Sequence, residues 1–322
     1  MANVAAIVIG RNEGPRLIAC LASLEDSFSQ VVYVDSGSTD GSVAAAQNAG
    51  AEVVNLETDR PFTAARARNA GIDALKTGSA PDFVQFVDGD CMLASGWIAA
   101  ALEVMAQDPK VAVVCGRRRE KFPENSMYNR LCDAEWDTPV GEALACGGDA
   151  LMRWDALIAV EGYNPGLIAG EEPEMCLRMR RLGWQIWRID TEMTLHDAAI
   201  LLFGQFWKRA RRGGYAYAQG MAMYGRAPER HGVTGVRRIV LWGAVIPLVA
   251  LSGWIAFGPV ALCLLLLYPV QVLRIARRKG NSRTAWEQAI LLTVGKFAEM
   301  QGIADYLWRR WRARDAELIE YK

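Results

Sequence analysis

The chain has no surplus of charge: 36 Lys and Arg balance 36 Asp and Glu over 322 residues. A nucleic-acid coat protein needs excess cations to displace phosphate counterions, so that class is excluded. Histidine is scarce, with His196 and His231 alone. None of the seven cysteines (Cys20, Cys91, Cys115, Cys132, Cys146, Cys176 and Cys263) pair as C-x-x-C, and their number is odd. They read as reduced thiols, mostly core fillers, in a chain facing the cytosol. The sequence lacks a Walker lysine and a G-x-G-x-x-G fingerprint, which weakens simple nucleoside-triphosphate and dinucleotide readings. Internal repeats and low-complexity tracts are missing as well. The opening stretch through Ile9 has no basic segment and too short an apolar run for a signal peptide. It reads as a buried strand.

What is present is unevenly placed. Residues 1–199 carry 17 basic and 29 acidic side chains, whereas residues 200–322 carry 19 basic and 7 acidic. The first half suits a site that holds cations, the second an anionic surface. A hydrophobic fraction of 52% and a mean hydropathy of +0.06 exclude disorder and are high for a wholly soluble chain.

From residue 1 to about 118, short apolar runs alternate with helical stretches. Strands are expected at Val4–Ile9, Val31–Asp35, Ala51–Leu56, Phe83–Val87 and Val111–Cys115. Helices are expected at Gly14–Leu24, Ser42–Ala49, from Thr63 as cap to about Leu75, and at Ser95–Ala106. Continuous apolar strands separated by helices imply an α/β fold with a mostly parallel sheet covered on both faces. Ligands bind beyond the carboxyl ends of such strands. Three polar clusters fall there: Arg11-Asn12-Glu13, Asp35–Asp40 and Asp88-Gly89-Asp90. Further on, a Gly-rich turn is expected at Cys146-Gly147-Gly148-Asp149. A helix is expected from about Glu171 to Leu182, burying Met175, Met179 and Leu182, then a strand at Trp184–Ile189.

The character changes near residue 236. Ile239–Phe257 is 19 residues without a charge, about 28 Å as a helix. Gly258-Pro259 interrupts it, and Val260–Leu273 continues apolar. Arg237 and Arg238 precede the pair; Arg274, Arg277, Arg278 and Lys279 follow it. Basic outer ends imply a hairpin with both ends cytoplasmic, either spanning or re-entrant, since Pro247 and Pro269 interrupt both arms. The competing reading is a buried helical pair in a soluble domain. A looser stripe of Trp286, Ile290, Val294, Phe297, Trp308 and Trp311 marks a last helix at the interface or packed on the hairpin.

Each polar cluster alone has a bland reading. Asp35-Ser36-Gly37-Ser38-Thr39-Asp40-Gly41-Ser42 could be a turn with a helix cap, and Asp88-Gly89-Asp90 a solvated turn. Together with Asn12-Glu13 and Ala67-Arg68-Asn69-Ala70-Gly71, in this order and spacing, they resemble family-2 glycosyltransferases of the GT-A fold. The resemblance covers roughly residues 3–200. It implies a nucleotide-diphosphate-sugar donor, with UDP the expected nucleotide, a Mg²⁺ or Mn²⁺ ion, and transfer with inversion. It further implies that Asp35 contacts the base, Glu13 and Arg68 line the nucleoside pocket, Asp88 approaches the ribose, and Asp90 ligates the metal. Physically, a sugar diphosphate leaving group needs a cation, and an inverting displacement needs a base for the acceptor hydroxyl.

Gly170-Glu171-Glu172-Pro173 resembles the family's Glu-Asp acceptor motif, with Glu172 at the Asp position. Either Glu171 or Glu172 could be the base, although acidic residues also simply favour a helix start. His196 stands where many relatives carry a third metal ligand. The cluster around Lys208, Arg209, Arg211 and Arg212 partly matches the Gln-x-x-Arg-Trp motif of processive synthases, with Lys208-Arg209 in place of Arg-Trp. Arg209 and Arg212 are candidates for donor diphosphate, for a lipid phosphate or for anionic headgroups. Arg117-Arg118-Arg119 is expected to be a solvated or acceptor-side face.

The expected organisation is a GT-A domain at 1–200, a basic juxtamembrane linker or helix at 201–235, a hairpin at 236–276 and an amphipathic helix at 277–322. The expected partners are a nucleotide-sugar donor, a polyprenyl-diphosphate-linked glycan acceptor and the cytoplasmic membrane, with the catalytic domain on the cytosolic side and no nucleic acid. Three rivals compete: a polyprenyl-phosphate glycosyltransferase, a non-catalytic nucleotide-sugar-binding scaffold, and a dinucleotide oxidoreductase whose glycine fingerprint is missing.

Overall fold

A computed structural model describes residues 2–24, 27–57 and 60–312. The chain divides into two compact units: residues 1–122 with 133–198, and residues 123–132 with 199–322.

The first unit is built on a nine-stranded mixed sheet. Its strands are β1 (Val4–Gly10), β2 (Gln30–Asp35), β3 (Glu52–Asn55), β4 (Phe83–Asp88), β5 (Cys91–Leu93), β6 (Val111–Glu120), β7 (Gly141–Ala143), β8 (Ala150–Arg153) and β9 (Gln185–His196). Their order is β3-β2-β1-β4-β8-β6-β9-β5, with β7 paired to the start of β9. The β3-β2-β1-β4 half is parallel, and β8 runs antiparallel between β4 and β6. The helices are α1 (Pro15–Ala22), α2 (Ser42–Asn48), α3 (Ala64–Leu75), α4 (Trp97–Gln107), α5 (Met127–Trp136, shared with the second unit), α6 (Trp154–Ala159) and α7 (Glu171–Arg181).

The strands form for the reason read in the sequence. Val4–Val8 are buried on both faces, and such a run is stable only between two helical layers. Thr63 caps α3 by accepting the Arg66 amide. Gly71 lets α3 lie directly on β1, because a Cβ there would come within 2.5 Å of Ile7. The parallel register sets Asp35 beside Gly10 and Asp88 beside Ile9, so the polar ends of β1, β2 and β4 share one sheet edge.

Three expectations need correction. The strand placed at Val111–Cys115 runs on to Glu120, and the one placed at Trp184–Ile189 runs from Gln185 to His196. Both extend because β6 and β9 pair in parallel along their length, through irregular register around Arg117. Leu182 is exposed rather than buried, since it lies past the last turn of α7; Met175, Cys176 and Met179 fill the core instead. Six of the cysteines are buried and Cys263 is exposed; none is in a disulfide.

The second unit is helical: α8 (Phe203–Tyr224), α9 (Val233–Val240), α10 (Ile246–Phe257), α11 (Leu267–Arg278) and α12 (Arg283–Trp311). A π-helical segment, Leu241–Val245, joins α9 to α10, and a 3-10 segment, Pro259–Leu266, leads into α11. Residues 123–132 belong here, although they fall inside the range expected for the catalytic domain: Arg130 pairs with Glu287 at 2.7 Å, and Tyr128 stacks on Phe206. Helices α8 and α12 approach closely at Gly214 and Gly302, where a Cβ would meet the backbone of the other helix at 1.9 Å. The buried residues of α12 include Ala285, Ala289, Leu291, Gly295, Ala298, Gly302 and Ile303, with Gln288 and Thr293 among them. Of the apolar stripe, Ile290, Trp308 and Trp311 are exposed. Phe297 does meet the hairpin, with its ring 5.5 Å from that of Tyr268.

Candidate active site

The site grows from the carboxyl edge of the sheet. Asn12, at φ +54°, ties the β1 and β2 loops together: its amide donates to Ser38 Oγ at 2.9 Å, and its Oδ1 accepts the Thr39 amide at 2.7 Å. Asp35 is buried and shapes its own turn, accepting the amides of Gly37 (2.9 Å) and Ser38 (2.8 Å) and the Tyr33 hydroxyl. Glu13 is half-buried, its stem lying over Gly10 and Gly89, and it pairs with Arg16 at 2.7 Å.

Arg68 occupies the centre. It projects from α3, is buried, and meets three carboxylates: Nη1 reaches Glu171 at 3.0 Å and Glu172 at 2.8 Å, while Nη2 reaches Asp88 at 2.9 Å. Gly148 makes this possible, since a Cβ there would come within 2.7 Å of both Arg68 Nη2 and Asp88 Oδ2. Glu171 and Glu172 begin α7 after Gly170, whose φ of +80° lets the chain turn sharply into the helix.

A second cation closes the other side of Asp88. Arg118 Nη2 lies 3.1 Å from Asp88 Oδ2, its Nε 3.4 Å from Asp149, and its plane 5.0 Å from the Trp136 ring. Asp149, fully buried, accepts the Asp88 amide and the Thr194 hydroxyl. Arg118 therefore belongs to the site and not to a solvated face. Arg119 alone of that triplet is well exposed, paired with Glu192, and Arg117 is buried against Asp133. The cause is local: register shifts in β6 on both sides of Arg117 break the strand's alternation and re-aim Arg118. Arg118 and Asp149 are the site residues that sequence reasoning missed. A glycine in a strand, Gly116, is the signal that could have found the first, because it marks a bulge; a Cβ there would meet Trp97 and Thr191.

Asp90 and His196 meet through the pairing of β5 with β9, which sets Cys91 opposite His196. His196 Nε2 lies 3.2 Å from Asp90 Oδ2, and the imidazole stands edge-on to Trp136. Its Nδ1 has no hydrogen-bond partner, and Glu120 is 4.0 Å away.

The electrostatics separate the carboxylates. Burial disfavours charge on Asp88, yet Arg68 and Arg118 outweigh it and hold the group well below the usual carboxylate range. Burial, helped by the charge of Glu171 and opposed by Arg68, pushes Glu172 up to about 7. Burial, then Arg118, pushes His196 down to about 3, so the imidazole is neutral. Burial also keeps the Cys91 thiol protonated. Asp90, Cys91 and His196 can bring one ligand atom each within 4.8 Å of one another. A carboxylate and a neutral imidazole suit a hard or borderline divalent ion, whereas a protonated thiol beside Arg118 does not.

Of the expected site residues, Glu13, Asp35, Arg68, Asp88, Asp90, Glu171, Glu172 and His196 all belong to the first unit. Arg209 and Arg212 lie on α8 in the second unit, half-buried and partnered.

The clustered carboxylates at the sheet edge, with the charged start of α7 beside them, lie in a fold of the GT-A type. Residues 5–152 match the family described as Glycosyl transferase family 2. The chain is 25% identical over 270 residues to the succinoglycan biosynthesis protein ExoA of Rhizobium meliloti (strain 1021), covering 77% of this chain and 78% of that one. Its fold is similar to that of the mannosyltransferase PcManGT from Pyrobaculum calidifontis, solved in complex with GDP-Man and Mn²⁺. That similarity has a TM-score of 0.60 and 19% identity, over 96% of this chain and 88% of that one. Glucosyl-3-phosphoglycerate synthase from Mycobacterium tuberculosis, in complex with phosphoglyceric acid, matches with a TM-score of 0.51 and 17% identity, over 71% and 82% of the two chains. Residues 5–152 thus carry a domain that matches Glycosyl transferase family 2, in a chain whose fold is that of GT-A glycosyltransferases.

Proposed function

We propose that the chain transfers one sugar, with inversion, from a nucleoside-diphosphate sugar (UDP the expected nucleotide) to a hydroxyl of a polyprenyl-diphosphate-linked glycan at the cytosolic face of a membrane. The observation that carries this reading is the contact network of Glu172: Arg68 reaches it at 2.8 Å and Asp88 at 2.9 Å, two residues from Asp90, and burial pushes the Glu172 carboxyl up. A base poised near neutrality is what removal of an acceptor proton requires.

In this reading Asp35, Glu13 and Arg68 line the nucleoside pocket, and Asp88 approaches the ribose. Asp90 and His196 would hold a divalent cation, Mg²⁺ or Mn²⁺, which would supply positive charge for the diphosphate leaving group. That PcManGT was solved with Mn²⁺ supports this, as does the ligand chemistry of the pair. Glu172 takes the acceptor hydroxyl proton onto its carboxylate as the oxygen attacks the anomeric carbon from the face opposite the leaving group. Glu171 stays beside it and, with Arg68, fixes its position and charge. ExoA's part in succinoglycan biosynthesis supports a glycan acceptor. Arg209 and Arg212 serve the anionic groups of donor, acceptor or headgroups. The two long apolar helices, Val233–Phe257 and Pro259–Arg278, anchor the enzyme in the layer where a lipid-linked acceptor is concentrated.

The test is a panel of nucleotide sugars assayed for binding and hydrolysis with and without Mn²⁺, followed by transfer to a lipid-linked sugar and to bare polyprenyl phosphate. Metal-dependent turnover with one donor and transfer to the lipid-linked sugar is expected. Binding without turnover on any acceptor contradicts the proposal, and transfer to polyprenyl phosphate alone replaces the acceptor.

A further inference from the structure

Resting on the membrane reading above, we infer that the hairpin formed by α10, Pro259–Leu266 and α11 is re-entrant: its tip ends inside the hydrocarbon, and both arms enter and leave by one face. The tip itself is the first observation. Ala256-Phe257-Gly258-Pro259-Val260-Ala261 holds no charged or hydrogen-bonding side chain, and Ile255 (86%), Phe257 (79%) and Val260 (69%) are among the most exposed apolar residues. A spanning hairpin would deliver these side chains to the far aqueous surface, where nothing in the turn could anchor them. Trp254 lies one turn before the tip; seating it at a far interface would push Phe257 and Val260 beyond it.

Arm length agrees. The charge-free part of the first arm, Ile239–Phe257, rises about 28 Å, less where the π-helical segment widens it. In the returning arm the eight 3-10 residues and Leu267–Leu273 rise roughly 26 Å together. Both lie close to the ~30 Å hydrocarbon core and leave little length for a tilt.

The hydrogen bonds of the turn are the second observation, because they pair part of the backbone that hydrocarbon would leave without water. Gly258 donates to Trp254 O at 2.9 Å, Pro259 has no amide hydrogen to lose, and Ala261 donates to Gly258 O at 3.2 Å. Ser252 turns its hydroxyl back onto Leu248 O. Nearer the entry, Ile246 bonds Leu241 rather than Trp242, and Pro247 cannot donate, so the Trp242 carbonyl loses its helical partner; the Tyr268 hydroxyl of the other arm supplies one. Gly253 lies against Ala261, holding the arms together. The basic residues sit only at the open end: Arg237 and Arg238 on one arm, Arg277 and Arg278 on the other.

Membrane vesicles carrying the full chain, prepared right-side-out and inverted, test this with an impermeant maleimide. In a Cys263→Ala background, Val260→Cys marks the tip and Asn281→Cys the open end. The expected result is labelling of Asn281→Cys from the cytosolic face alone, and labelling of Val260→Cys from neither face until detergent is added. Labelling of Val260→Cys from the opposite face means a spanning hairpin and overturns the inference while leaving the membrane reading intact. Labelling from the cytosolic face also overturns it. Release of the wild-type chain by alkaline carbonate overturns the membrane reading itself, and the inference with it.

Discussion

Arg68 and Glu172, 104 residues apart in sequence, are joined by a contact of 2.8 Å, and the same guanidinium reaches Asp88 at 2.9 Å. One buried cation thus links the proposed base to the carboxylate proposed for the donor. It also sets the charge of both, lowering Asp88 and restraining the upward push that burial and Glu171 exert on Glu172.

The pH profile should carry this signature. Glu172 ionises as pH rises through about 7, so activity should climb across that range and fall about tenfold per unit below it. Replacing Arg68 with Met removes an opposing cation and should move the acid limb to higher pH. Glu171→Gln removes a like charge and should move it to lower pH. A kcat profile measured from pH 5 to 9 checks both directions; a limb that stays put in both variants removes Arg68 and Glu171 from the tuning.

Nucleotide affinity should depend on a divalent ion through Asp90 and His196. Asp90→Asn and His196→Gln should each lose most of the Mn²⁺-dependent gain in nucleotide binding, read by calorimetry with and without the ion. His196 is neutral at working pH, so lowering the pH to 6 should not by itself abolish that gain. Affinity unchanged by the ion in the wild type would remove this pair from a metal site.

Gly148→Ala should damage both stability and activity. Its Cβ would fall 2.7 Å from Arg68 Nη2 and Asp88 Oδ2, neither of which can retreat without breaking the ion pairs. A cost of about 1–3 kcal/mol is expected. Thermal melting and initial rates measure the two effects. An unaltered melt together with wild-type turnover would mean that the Arg68–Asp88 geometry is not needed.

Much of the candidate site was legible because polar clusters at the ends of apolar strands stand in an order and spacing that resembles family-2 glycosyltransferases, although each alone could be a solvated turn. Asp35, Asp88 and Asp90 were read from that position, and the parallel register then set the first two on either side of β1. Arg118 was not legible, since two breaks in strand register decide where it points and its neighbours Arg117 and Arg119 look the same in sequence. Asp149 was visible only as part of a Gly-rich turn; its burial follows from a pairing with Thr194 that lies 45 residues away. The close approach of α12 to α8 was not legible, since the glycines that admit it, Gly214 and Gly302, leave no mark in an apolar stripe.

The most direct measurement is sugar transfer by Glu172→Gln, made alongside nucleotide-sugar binding by the same preparation. Transfer should drop by roughly 10²–10⁴-fold, as expected for loss of a general base, while donor affinity stays within a few-fold of wild type. A Glu172→Gln enzyme that transfers sugar at the wild-type rate would contradict the assignment of this carboxylate as the base.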